Sequence, residues 1–298
     1  MSPHLLSIVF VFFGQFLNAS VVLIDKYIVT RTDVSHPRVY AFYVGMISGV
    51  VIFLLPFGAV RAPDLYTVVM SLIIGLVFIS SIVFLFSALK HANATDVVAW
   101  LAAVSTLTTF VAGSLVLSEN LPKLFPVVLI FFIIGMILVG HFRFHARSFV
   151  FVVFSGILFG LSVVFVKMLF NHTDFVNGFF WSRMGNVVGA VSLLLVSEVR
   201  QSVFQTSRAI SRKTSSLIIF NRVLSGAAFL SILYAIRLGS ASIVNALSSL
   251  QFVFVFLMVF LLRKKLAHLY EHEFRHGHIL HKVLAMIFIA AGFLALFL

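Results

Sequence analysis

Apolar runs of about 16 to 24 residues recur along the whole chain, and a helix needs about 20 such residues, at about 1.5 Å each, to cross a bilayer. Ten can be placed in the 298 residues: 4–24, 39–57, 65–88, 95–117, 124–139, 149–170, 175–196, 216–236, 242–262 and 283–298. With 61% hydrophobic residues, 10% charged and a mean hydropathy of +1.15, the chain lacks the polar surface to cover a soluble globule. Lipid offers nothing to a free backbone N–H or C=O, so each segment is expected to be helical.

One polar connector occurs twice. Ala88-Leu89-Lys90-His91-Ala92-Asn93-Ala94-Thr95-Asp96-Val97 aligns without gaps with Ala235-Ile236-Arg237-Leu238-Gly239-Ser240-Ala241-Ser242-Ile243-Val244. The copies lie five spans apart by this count, an odd number that reverses direction across the membrane. The pattern predicts an all-α integral membrane protein with ten transmembrane helices in two inverted five-helix repeats, 1–142 and 143–298.

The formal charge of +12 raises the question of nucleic acid, and its distribution answers it. Connectors after odd-numbered spans carry Lys26, Arg31, Arg38, Lys90, Arg143, Arg147, Arg200, Arg208, Arg212, Lys213, Arg263, Lys264, Lys265, Arg275 and Lys282; those after even-numbered spans carry Arg61, Lys123 and Arg237. A bias of 15 to 3 is the positive-inside pattern of a cell-membrane protein, with odd connectors cytoplasmic and both termini outside. A nucleic-acid surface would interleave basic and aromatic residues on a water-facing fold, and there is none. Anionic lipid headgroups are the natural partner of this charge. Met1-Ser2-Pro3-His4 has no Lys or Arg, so the first segment reads as a retained helix rather than a signal peptide. The chain has no cysteine, which excludes disulfide and thiolate chemistry.

Three short stretches carry a resemblance: Asp25-Lys26-Tyr27 closing the first span, the turn from Tyr234 to Ser242, and Ser118-Glu119-Asn120-Leu121 ending the fourth span. With the two five-helix halves, the chain resembles the drug/metabolite transporter superfamily, in its EamA-like ten-helix branch. That family usually ends its fourth and ninth spans with Gly-Glu. Here Ser118-Glu119 keeps part of the pattern, Arg263-Lys264-Lys265 replaces it in the second half, and the family's fourth-span proline is missing. The resemblance implies a transporter and leaves the substrate open.

A carrier needs polar side chains at mid-membrane. The first span has Gln15 and Asn18, the fourth Ser105, Thr108 and Thr109, and the ninth Asn245, Ser248 and Gln251. Ser and Thr also serve plain helix packing. Amides cost more to bury, so their clustering on related spans favours a shared cavity. Arg183 and Arg222 sit about 10 Å from their helix starts, where a lipid-facing charge is expensive. For Arg222, snorkelling to the headgroups and cavity placement compete evenly, and Asn221 beside it is counted with the substrate-binding residues. For Arg183, with Trp181 nearby and Asn186 one turn on, the cavity is favoured. Lys26, Lys167, Asp25 and Asp96 fall near helix ends, where snorkelling, capping or pairing explains them. No span holds a deep carboxylate on this reading, which argues against a buried acid as proton carrier. A cavity of arginine and amides favours a carboxylate or phosphate substrate.

His272-Glu273-Phe274-Arg275-His276 fits the zinc pattern H-E-x-x-H, with His268, Glu271, His278 or His281 as third ligand. It lies in a basic connector rich in His and Glu, where such a pattern arises by chance. The expectation is therefore a secondary transporter without catalytic residues, metal or cofactor, moving a small polar metabolite by alternating access as a monomer or homodimer. A membrane-embedded zinc hydrolase and a non-transporting scaffold are the alternatives. Reporters fused after Ser207 and Leu269 are expected to read cytoplasmic, and a tag at Leu298 external. A cytoplasmic carboxyl terminus would mean a miscounted span or a failure of the charge rule.

Overall fold

The computed structural model describes residues 3–32, 34, 36–118, 121, 123–139, 146–262 and 276–295. The helices are α1 (Pro3–Arg31), α2 (Pro37–Ile47, continuing as a 3-10 helix over Ser48–Phe57), α3 (Leu65–His91), α4 (Ala94–Val116), α5 (Phe125–Val139), α6 (Ala146–His172), α7 (Phe175–Ser192), α8 (Ser197–Ala209), α9 (Arg212–Leu238), α10 (Ala241–Ala246), α11 (Ser249–Leu262) and α12 (His276–Ala295). Eight segments are long and apolar enough to cross a membrane: Leu5–Arg31, Pro37–Phe57, Leu65–His91, Ala94–Val116, Arg147–His172, Phe175–Leu195, Arg212–Leu238 and Ala241–Leu261. Two shorter apolar helices, Phe125–Leu138 and Val283–Gly292, pack on each other. The protein is thus an all-helical membrane protein among its described residues.

Helix starts follow local chemistry. Asp64, Asp174, Ser211 and Ser240 cap α3, α7, α9 and α10, each accepting a backbone N–H three residues on. Large apolar side chains such as Phe53, Phe57, Leu115 and Leu261 face outward, as lipid permits. The connector before α9 forms α8, which buries Val199 and Val203 and packs on α2. Two expectations need revision. Helix α1 runs on to Arg31, so Asp25 lies inside a span and is buried rather than at a helix end. The ninth span is broken at Leu247-Ser248, where bonds tighten to Ser248 N–H on Asn245 O (3.0 Å) and Gln251 N–H on Ser248 O (2.9 Å). Residues 263–275, with the His272-Glu273 tract, lie outside the described residues.

Packing is uneven. Helix α1 lies along α9, and α3 lies along both α6 and α7. The α3–α7 seam is backbone on backbone: a Cβ on Gly185 would sit 1.9 Å from Ser71 O, and one on Gly75 1.9 Å from Gly185 O. Only glycine permits that approach. On α9, by contrast, a Cβ on Gly226 meets nothing within 4 Å. Gly185→Val is expected to destabilise the protein by at least about 1 to 3 kcal/mol, while Gly226→Ala stays within about 0.5 kcal/mol of wild type. Thermal unfolding in detergent measures both, and equal effects would contradict the packing contrast.

Candidate functional site

A cavity lies where α1, α3, α4, α6, α7, α9 and the broken α10–α11 segment meet. Gln15, Asn18, Arg183, Asn245, Ser248 and Gln251 all line it, with Ser105 and Ser162. Six of the residues expected to share a site are therefore together. The rest of the wall is apolar, including Ile74, Phe78, Leu101, Phe159, Phe229 and Ile232.

The break beside Ser248 is held in place from both sides. Asn245 donates its amide to Thr109 Oγ1 (2.7 Å), and its carbonyl accepts from Thr106 Oγ1 (3.0 Å). Gln251 Nε2 donates to Asn18 O (3.3 Å). Polar atoms remain unused: Gln15 Oε1 and Ser248 Oγ are buried without a hydrogen-bond partner among the described residues. Discontinuous helices with free polar groups mark substrate sites in many carriers.

Arg183 is 8% exposed, and its Nε has no hydrogen-bond partner among the described residues. No carboxylate pairs with it there. Its guanidinium carbon instead lies 5.0 Å from the Phe229 ring centre, 5.7 Å from Phe78 and 5.9 Å from Phe179. Ring quadrupoles offset part of the desolvation of a cation, on the order of 1 kcal/mol per good contact. They leave its charge unneutralised.

Arg222 has the opposite environment. Its Nη2 pairs with Asp25 Oδ1 and donates to Tyr40 Oη (2.9 Å), Tyr40 donates to Asp25, and Asn221 Nδ2 donates to Asp25 Oδ1 (2.7 Å). These four side chains tie α1, α2 and α9 together. The snorkelling alternative for Arg222 is thus replaced by a buried ion pair, and the expectation that no span holds a deep carboxylate is corrected. Neither Asn221 nor Tyr40 lines the first cavity; Asp25 and Arg222 line a second, which adjoins it through shared residues including Asn18, Phe78, Arg183, Phe229 and Gln251.

Two expected residues stand elsewhere. Trp181 donates its indole N–H to Arg61 O (3.2 Å), and Asn177 Oδ1 accepts from Arg61 N–H (2.7 Å). There His172 bonds Asp64 at 2.7 Å, and hydrogen bonds from Thr67 and His172 hold the Asp64 carboxyl down to about 2. Asn186 is fully buried, its amide atoms unpartnered among the described residues, and it lines neither cavity. Lys26 and Lys167 do not snorkel. Lys26 Nζ donates to Leu89 O (2.6 Å) and Ala92 O (2.8 Å), and Lys167 Nζ to Ile236 O (2.7 Å) and Gly239 O (2.7 Å). Among the described residues no group of three His, Asp or Glu could hold a metal.

The two arginines predict opposite stability effects. Asp25→Leu strands a buried guanidinium and is expected to cost about 3 to 5 kcal/mol, with Arg222→Met added to it recovering most of the loss. Arg183→Met removes an uncompensated charge and is expected to raise the thermal midpoint of the empty protein. A fall as large as that of Asp25→Leu would mean that Arg183 has a structural partner.

No family model matches the sequence, and no curated protein matches it. A solved structure described only as "Crystal structure of protein" superposes over 96% of this chain and 98% of its own, with a TM-score of 0.63 at 15% identity. The two share a fold, and at that identity nothing further carries across.

Proposed function

We propose that the chain is a secondary transporter of the EamA-like kind. In this reading ten helices form two inverted halves that rock about the central cavity and carry a small anionic metabolite across the cell membrane. The observation that carries the reading is Arg183: a buried guanidinium lining a cavity, without a carboxylate among the described residues, beside a broken helix whose Ser248 hydroxyl has no partner there. A scaffold gains nothing from an unneutralised buried charge. A carrier gains a counter-charge for its substrate.

The lysine contacts support the inverted repeat. Leu89 and Ala92 align with Ile236 and Gly239 in the two connectors, and these are the carbonyls that Lys26 and Lys167 bind. Each lysine thus closes the carboxyl end of a helix in the other's reach, one in each half, as a repeated unit would. The helix pairs α1–α9 and α3–α6 fit the same symmetry.

Counterflow in liposomes loaded with pooled anionic metabolites tests the proposal. Arg183→Ala is expected to weaken substrate binding by about 30- to 150-fold, the loss of about 2 to 3 kcal/mol from a charge-assisted contact. Arg183→Lys recovers part of it, since an ammonium keeps the charge and loses the planar fork. Unchanged affinity in Arg183→Ala would remove this residue from the site, and absence of counterflow with every pool would count against transport.

A further inference from the structure

Charge balance and wall chemistry narrow the ligand. Of the two arginines on these cavities, Arg222 already faces Asp25, while Arg183 has no carboxylate among the described residues. Lys26 and Lys167 spend their ammonium groups on helix carbonyls and line neither cavity. One positive charge therefore awaits compensation in a low-dielectric site. One negative charge balances it; a second would be buried unpaired at the cost of several kcal/mol.

The space around that charge is not built for a polar body. Phe78 and Phe229 lie against the guanidinium, and Phe159, Ile232, Leu101 and Val163 line the same cavity. A polyphosphate brings more charge than Arg183 answers, and a ligand polar on all sides would leave groups without partners against the apolar part of the wall. An alkyl or aryl body buries apolar surface there instead.

The second cavity adds a route. The Asp25–Arg222–Tyr40–Asn221 cluster bridges α1, α2 and α9 at one end of it. Beyond the cluster α2 and α9 part, with Val50 and Val51 on one wall and Ser225 and Gly226 on the other. Val50, which lines this cavity, is 61% exposed on the apolar outer surface. The α3–α7 seam has no such gap, because Gly75 and Gly185 bring the backbones together.

We infer that the substrate is an amphipathic monoanion: a single carboxylate held by Arg183, on an apolar or aromatic body lodged among the phenylalanines, reached from the bilayer side between α2 and α9. This deepens the transporter reading and rests on it for the claim that the ligand is carried.

Binding to the full-length protein in nanodiscs tests the class, using acetate, hexanoate, phenylbutyrate, phenylbutylamine and phenylsuccinate as probes. Phenylbutyrate is expected to bind tightest, with about fourfold gained per buried methylene over acetate. The amine should not compete, and the dianion should bind more weakly than phenylbutyrate. Arg183→Gln loses at least about 30-fold, Arg183→Lys keeps part of the affinity, and Gly226→Trp, which leaves Arg183 in place, slows phenylbutyrate association. Equal binding of acetate and phenylbutyrate, displacement by the amine, preference for the dianion, no binding of any carboxylate, or wild-type binding in both Arg183 variants overturns the inferred class. An unchanged association rate in Gly226→Trp overturns the route. Counterflow of phenylbutyrate, measured on the same preparation, separates the two readings. Binding without counterflow removes transport and keeps the ligand class; counterflow of pooled metabolites without phenylbutyrate binding does the reverse.

Discussion

Among the described residues the two adjoining cavities hold two guanidiniums and one carboxylate, and most of what is distinctive here follows from that imbalance. A buried arginine costs several kcal/mol unless something answers its charge. For Arg222 the answer comes from Asp25, with Tyr40 and Asn221 donating to the same carboxylate oxygen. For Arg183 three aromatic faces supply only partial relief. A fold that tolerates such a cost at one residue, while meeting it fully at another on the adjoining cavity, has a reason to keep one charge open. A ligand of opposite sign is the simplest reason, and it makes stability and function oppose each other at Arg183.

The aspartate cluster also decides where the protein is held. Asp25 comes from α1, Tyr40 from α2, and Asn221 and Arg222 from α9, so one carboxylate fastens three helices near one end of the gap. Away from it, α2 leaves α-helical geometry at Ser48 and α9 carries the unopposed Gly226. The clasp and the gap thus lie on the same pair of helices. On the proposed alternating mechanism, the clasp is the contact that must yield or pivot when α2 and α9 close, because it joins them through Tyr40 and the buried ion pair.

Much of this was legible in the sequence, and the failures have physical causes. The eight long apolar helices announced themselves by length and hydropathy, since lipid demands both. Gln15, Asn18, Asn245, Ser248, Gln251 and Arg183 could be grouped because each is too costly to leave in hydrocarbon, and a cavity is the cheap solution. Asp25 was missed because an apolar run appears to stop at its first charge. A carboxylate neutralised by an arginine almost two hundred residues away in the chain does not stop a helix. The break at Leu247-Ser248 left no signal either, as it contains neither glycine nor proline. Trp181 was misplaced for a different reason: aromatic residues serve cavities and interfaces alike, and only the partner of its indole N–H, Arg61 O, separates the two.

The contrast between seam and gap bears on how such a molecule could work. If the connectors are related by an inverted repeat, their alignment places Gly75 of the α3–α7 seam in register with Arg222 of α9. One position then holds a glycine where two backbones touch, and its counterpart holds a charged side chain where two helices stand apart. A glycine contact is short-ranged and closes without side-chain rearrangement. An arginine must keep its carboxylate through any movement, because stranding it costs more than most helix contacts return. The two halves would therefore not be interchangeable in energy even where they match in topology. The seam is held by shape, and the clasp beside the gap by charge.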